Sequence, residues 1–315
     1  MQSERVFEKI LLPIDGSTPS LVAQELTVFL AKKFNSKVTV LHVVSHEFMS
    51  PHAKRFFAET DRHAPLGIIG ATPAPPYVDT SPTAPDSPYS EEAANEIMEL
   101  YHQKGQEALD NAVALFKGEG LNVDQNLIEH ADPAETIIYE AERGNFGLIV
   151  MANSAEEKEE THLGSVAKKV SLHSNVSVLI VKGKRQISKI LVPIDGSPHG
   201  EKALQHAAFL AKETGSKMTL LYVQESGIFN LRPAMTKEIG NCILRRATEQ
   251  IKGLTADQML ESGDPAKVIV QTANKGNYDI IVMGNRGLGA VGRFLLGSVS
   301  DHVSHYANHS VLIVK

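Results

Sequence analysis

Two kinds of segment alternate along the second half of the chain. Short, mainly apolar runs occupy residues 189–194, 218–223, 258–261, 279–283 and 310–314. Between them lie longer amphipathic stretches at 201–214, 236–252, 266–274 and 298–306. The first of these carries Ala203, Leu204, Ala207, Ala208, Leu210 and Ala211 at helical spacing. Short β-branched runs read as strands, and apolar positions recurring every three to four residues read as helices. Strands separated by single helices must run parallel, with helices covering both faces and ligands in the crevice at the carboxyl ends of the strands. Asp195, Val223 and Gly284 all fall at such ends although they lie far apart in sequence.

The first half repeats the second. Lys9-Ile10-Leu11-Leu12-Pro13-Ile14-Asp15-Gly16-Ser17 recurs as Lys189-Ile190-Leu191-Val192-Pro193-Ile194-Asp195-Gly196-Ser197. Asp132-Pro133-Ala134 pairs with Asp264-Pro265-Ala266, and Gly144-Asn145-Phe146 with Gly276-Asn277-Tyr278. Both copies close on nearly the same run, Ser177-Val178-Leu179-Ile180-Val181-Lys182 and Ser310-Val311-Leu312-Ile313-Val314-Lys315. A unit this long is a whole domain, because solenoid repeats run to about 20 to 50 residues. The expected division is 1–183 and 184–315, with the joint at Gly183-Lys184-Arg185-Gln186. The fold class is then α/β: two tandem open parallel five-stranded sheets with helices on both faces.

Composition narrows the function. The 315 residues are long for one core and comfortable for two, and a hydrophobic content of 42% lets each half bury one. A net charge of -6 argues against a nucleic-acid surface, which needs a basic face. The single cysteine, Cys242, excludes an internal disulfide and a Cys-rich zinc site. No apolar run approaches the roughly 20 residues that span a bilayer, and the N-terminus lacks a signal-peptide core, so no membrane partner and a cytoplasmic location are expected.

Chemistry gathers around Met283-Gly284-Asn285-Arg286-Gly287-Leu288 and Gly297-Ser298-Val299. A buried strand, a glycine-rich loop and a helix N-terminus in that order make an anion site. Glycines admit backbone N–H groups close to phosphate oxygens, and the first turn of a helix adds unpaired donors and a partial positive charge. Ser298 adds a hydroxyl, and Arg286 and Arg293 are candidates for phosphate contact. Gly287-Leu288-Gly289-Ala290-Val291-Gly292 also matches the dinucleotide fingerprint. That motif belongs after a first strand, with an acid about 20 residues on, whereas here it follows a late strand and no acid ends the next one. A P-loop is absent as well.

With these residues in place, the chain resembles the universal stress proteins in their tandem two-domain form. Gly284-x-x-Gly287, nine residues, then Gly297-Ser298 match the phosphate motif of the ATP-binding branch, and Pro193-Ile194-Asp195-Gly196-Ser197 matches its first-strand end. The resemblance covers nearly the whole chain outside an insertion at about residues 45–91. It implies the strand order 3-2-1-4-5 of the adenine-nucleotide alpha hydrolase-like fold, ATP as ligand with or without Mg2+, and dimers formed through the last strand. Carried over, Asp195 meets the adenosine end, and Val223 and Met283 flank the base. Gly284, Gly287, Gly297, Ser298 and Val299 hold the ribose and phosphates, while Pro193 and Ile194 complete the first-strand wall. In a duplicated chain the dimer contact becomes an internal pseudo-dimer, with a further homodimer as an open alternative.

The first copy departs from this pattern. Ala152-Asn153-Ser154-Ala155 replaces Gly284-Asn285-Arg286-Gly287, and the loop that follows carries Glu156, Glu157, Glu159 and Glu160. Alanine tolerates positive φ poorly. Like charges about 6 Å apart repel by roughly 3 kcal/mol at an effective dielectric near 20. Several such pairs outweigh a micromolar affinity, worth about 8 kcal/mol. A degenerate first site is expected, with a structural or regulatory role. The proline-rich insertion reads as an extended link. His46, His52 and His63 within it lack zinc-type spacing, so no metal site is assigned.

Two classes of function follow. The leading one is a stress-associated regulatory protein that binds ATP in its second domain and acts on an unknown protein partner. The alternative is a slow ATPase or other phosphoryl-handling enzyme. Against it stand the missing P-loop lysine and the absence from the sequence of an evident base near Ser298, and no catalytic residue is assigned.

Overall fold

A computed structural model describes residues 2–45, 91–129, 132–153, 163–225, 233–251, 253–287 and 296–315. The body of the insertion (46–90), its histidines, the acidic loop at 154–162 and Arg293 lie outside the described residues.

The first half runs α1 (Gln2–Glu8), β1 (Lys9–Ile14), α2 (Thr18–Phe34), β2 (Lys37–Val43), α3 (Glu91–Gly118), β3 (Val123–Ile128), α4 (Pro133–Arg143), β4 (Leu148–Ala152), α5 (Ser165–His173) and β5 (Ser177–Val181). The second runs β6 (Lys189–Pro193), α6 (Pro198–Thr214), β7 (Lys217–Gln224), α7 (Pro233–Gln250), β8 (Ala256–Ser262), α8 (Pro265–Gly276), β9 (Ile280–Gly284), α9 (Ser298–Tyr306) and β10 (Ser310–Val314). The repeated motifs are helix signals. Asp132 and Asp264 are N-caps that accept from Glu135 N and Lys267 N at 2.9 and 3.0 Å, and Pro133 and Pro265 start the helices they precede. Asn277 closes α8 in the left-handed region at φ 49°, which asparagine tolerates better than most residues. Helix α1 has no counterpart in the sequence reading.

The strands form one ten-stranded sheet in the order β3-β2-β1-β4-β5-β10-β9-β6-β7-β8. Each half therefore has the order 3-2-1-4-5. The two five-stranded sheets meet through their last strands, as the internal pseudo-dimer requires, and become one sheet because β5 pairs antiparallel with β10, matching Val311 to Ile180, Leu312 to Leu179 and Ile313 to Val178. The edge that would serve a homodimer is thus consumed within the chain. The outer strands β3 and β8 expose Asp124, Gln125, Asn126, Asp257, Gln258 and Glu261, polar side chains that discourage edge-to-edge pairing.

Two apolar layers run unbroken across both halves. One, under α1, α2, α3, α6 and α7, holds Phe7, Ile10, Leu12, Phe116, Ile190, Val192 and Leu244. The other, under α4, α5, α8 and α9, holds Leu11, Ile149, Val178, Leu191, Ile281 and Val311. Val178 and Val311 are fully buried there. They belong to the shared core as much as to the seam, so charging them would damage folding as well as docking. A purer seam contact is the aromatic trio of Phe7, Phe34 and Phe209, with ring centroids 4.4 Å apart for Phe7 and Phe34 and 5.3 Å for Phe34 and Phe209.

The last lysine of each half crosses the seam. Lys182 Nζ donates to Ser304 O and Ala307 O at 3.0 and 2.7 Å, at the carboxyl end of α9. Lys315 Nζ donates to Ser171 O of α5 at 2.7 Å. Cations suit helix C-termini, where unpaired carbonyls carry negative partial charge. Burial nevertheless pushes both amines down to about 8, and for Lys315 the Arg286 charge adds to the effect.

Phe209→Ala is expected to lower stability by about 2 kcal/mol and to separate the unfolding of the two halves, read by urea denaturation. An unchanged midpoint with one coincident transition would contradict the role given to the trio. The lysines predict a pH effect. Their folded values of about 8 lie below the unfolded value of about 10.4, so between those limits the unfolded state holds more protons and stability rises with pH. Lys182→Met removes that gain at one site. Relative to the wild-type chain, the variant is expected to lose about 2 kcal/mol of stability between pH 7 and pH 10. A constant difference over that range would refute it.

Candidate functional site

Strand β6 ends at Pro193, and Ile194 N extends the ladder by donating to Leu221 O at 2.9 Å. The Ile194 side chain is 7% exposed and packs in the layer under α6 and α7. It supplies packing only. Met283, 5% exposed, lies in the opposite layer, with Val223 and Val299 packed against that same layer. Val223, Met283 and Val299 thus share one face of the sheet, and Ile194 lies on the other.

Asp195 follows at the head of α6. Its Oδ1 accepts from Ser197 N at 3.0 Å, and Ser197 Oγ caps the helix by accepting from Gly200 N at 3.0 Å. The carboxylate has bare backbone on two sides. A Cβ on Gly200 would lie 2.8 Å from Oδ1, and one on Gly287 would lie 2.7 Å from Oδ2. Asp195 and the loop after β9 therefore converge, as the sequence reading expected. In the first half, Ser20 and Ala155 occupy the positions of Gly200 and Gly287 in the repeat, and Asp15 is exposed, with Oδ1 accepting from Ser17 N and Ser17 Oγ at 2.9 and 2.6 Å.

The loop after β9 is closed at its base. Asn285 N donates to Val314 O at 2.9 Å, Gly297 N to Asn285 O at 2.7 Å, and Ser300 Oγ to Gly284 O at 2.8 Å. Gly297 is the N-cap of α9 and offers no side-chain cap, so a bound anion can meet the donors of the first turn. Ser298 is exposed at that turn and Arg286 is partly buried beside it in the fold of the loop. The reason for the glycines differs from the one expected. Gly284, Gly287 and Gly297 all lie outside the left-handed region. At Gly284 the constraint is space, since a Cβ would lie 2.7 Å from both C and O of His199.

His199 and Lys202 escaped the sequence reading, as did Gly200. Comparing the copies position by position would have found them, because the first half carries Pro19, Ser20 and Val22 at those places. Burial, then the positive charges of Arg286 and Lys202, hold the His199 imidazole below its usual value, against the pull of Asp195. Tyr222 is pushed up by burial and by the Asp195 charge. His42 takes the place of Tyr222 in the first half, with its Nδ1 2.9 Å from Ile14 O.

The model of the universal stress protein family matches residues 7–182 and again 186–315. The chain belongs to the universal stress protein family. It has the tandem two-domain form, with an α/β fold of parallel-dominant sheets and helices on both faces. Universal stress protein YxiE from Bacillus subtilis (strain 168) is 35% identical over 147 residues, covering 41% of this chain and 99% of the relative. Universal stress protein MJ0531 from Methanocaldococcus jannaschii is 32% identical over 148 residues, covering 44% of this chain and 87% of the relative. The crystal structure of a universal stress protein from Archaeoglobus fulgidus DSM 4304 superposes with a TM-score of 0.66 at 24% identity, covering 98% of this chain and 96% of that one. Such a fit over both halves shows a shared two-domain fold. Among the described residues of this universal stress protein, no helix is long and apolar enough to cross a membrane.

The two loop glycines predict different phenotypes. Gly284→Ala forces Cβ onto the His199 backbone and is expected to cost about 2 kcal/mol. Among the described residues, a new Cβ at Gly287 meets the Asp195 carboxylate alone, a side chain that can shift, so Gly287→Ala is expected to cost under about 0.5 kcal/mol. Matching thermal denaturation curves for the two variants would contradict this distinction.

Proposed function

We propose that the protein is a stress-associated regulatory protein that binds ATP in its second domain, while the first domain serves a structural or regulatory role. The observation that carries this reading is the convergence of Asp195 with the bare backbone of Gly287 at the carboxyl ends of β6 and β9. In this reading Asp195 accepts from hydroxyl or amine groups of the adenosine, Val223 and Met283 line one side of the base, and Pro193 shapes the wall. Gly284, Gly287, Gly297, Ser298, Val299 and Arg286 take the ribose and phosphates. Backbone donors of the α9 first turn supply the anion contacts, and the glycines keep the approach free of Cβ atoms.

Mg2+ fits as a companion of the phosphates. Among the described residues no three His, Cys, Asp or Glu side chains are grouped to hold a metal. An ion that keeps most of its waters and binds phosphate oxygens needs no such cage. The domains we assign are 1–183 and 184–315. The first domain keeps the loop-closing bond, Gly164 N to Asn153 O at 2.9 Å, and an N-cap glycine on α5. What it lacks is the paired bare backbone around its aspartate, and its loop carries four glutamates.

Calorimetric titration of the whole chain with ATP is expected to give one site per chain, with Gly287→Ala weakening binding at least about tenfold, or 1.4 kcal/mol. Two equivalent sites, or full binding by Gly287→Ala, would overturn the assignment. Following ADP release in the same samples separates a binding protein from a slow hydrolase.

A further inference from the structure

Three side chains that can carry positive charge gather at the second crevice, and the first half has none of them. His199 and Lys202 sit three residues apart at the start of α6, a spacing that puts them on one helix face. Arg286 lies in the loop after β9. His199 is held against that loop by the close approach of its backbone to Gly284, where a Cβ would lie 2.9 Å from the His199 Cβ. Lys202 Nζ donates to Lys315 O at the end of β10, which brings this amine to the β9 and β10 side of the crevice. In the repeat these three positions are Pro19, Val22 and Ser154.

The charges facing His199 are Lys202 from its own helix, Asp195 from the end of β6 and Arg286 from the loop. Two cations against one carboxylate disfavour the imidazolium. A phosphate arriving among them reverses the balance, because its negative charge favours the protonated ring. We propose that His199 and Lys202 join Arg286 as a cationic arm for the terminal phosphates of a nucleoside polyphosphate, and that binding draws a fraction of a proton from solvent onto His199. The arm favours a triphosphate over a monophosphate, since the α9 N-terminus alone can satisfy the phosphate nearest the ribose. This inference rests on the nucleotide reading above and deepens it.

The whole chain is titrated with ATP, AMP and inorganic triphosphate by calorimetry in two buffers of different ionisation enthalpy at pH 7. The His199 ring is followed by NMR and assigned from the spectrum of His199→Gln. ATP and inorganic triphosphate are expected to raise the pH at which His199 titrates by about one unit, and AMP to leave it nearly unchanged. Wild-type chain is expected to take up more protons with ATP than His199→Gln, and Lys202→Gln to weaken ATP about fivefold while AMP binding stays the same. ATP binding with no shift of the His199 titration overturns the arm and leaves the nucleotide reading standing. Inorganic triphosphate shifting His199 while neither ATP nor AMP binds upholds an anion arm and overturns the nucleotide reading. Silence of all three ligands overturns both.

Discussion

Pairing of β5 with β10 is the constraint around which the rest of the molecule is arranged. A parallel sheet of order 3-2-1-4-5 leaves its last strand at an edge, and these edges are runs of Val, Leu and Ile whose backbone groups need partners. Joining them antiparallel satisfies both at once and continues the two core layers from one half into the other. It also fixes where ligands can go. Strands within a half are parallel but the halves run in opposite directions, so the two crevices open at opposite ends of the sheet.

The crossing lysines follow from that geometry. Lys182 reaches the carboxyl end of α9, the helix whose other end lies at the anion loop, and Lys315 reaches α5 while standing close enough to Arg286 to feel its charge. Burying an ammonium opposes folding, and bonding it to helix-end carbonyls recovers part of that cost. Joined in this way, the second site is braced by the first domain even though that domain has lost the glycines of its own loop.

Divergence between the copies comes down to a few atoms. Gly200 and Gly287 leave space on both sides of Asp195, whereas the first half has Ser20 and Ala155 at those positions of the repeat. The loop closure, the helix caps and the sheet register are common to both, and with them the fold. Folding depends on the caps and the core layers, and the crevice depends on missing Cβ atoms. The two demands overlap at Gly284, whose missing Cβ makes room for the His199 backbone, and separate at Gly287, where an added Cβ meets the Asp195 carboxylate.

Much of the fold was legible because its signals are local. Asp-Pro-Ala twice over is an N-cap with a proline in the first turn, and strand runs such as 189–194 and 310–314 are mainly apolar, as parallel strands covered on both faces must be. Doubling of the motifs gave the domain pair, and the glycine spacing placed Asp195 and the β9 loop at one crevice. Other features came only from tertiary structure, since they depend on distance between segments remote in sequence. The antiparallel register of β5 on β10 depends on which residues of the two edges meet. The need for glycine at 284 arises from the His199 backbone 2.7 Å from where its Cβ would sit, not from a left-handed turn. Ile194 faces away from the crevice because strand alternation, invisible in an all-apolar run, puts it under α6. His199 and Lys202 look like ordinary surface residues of a helix until the chain brings Arg286 beside them, for charge acts through space and sequence records only order.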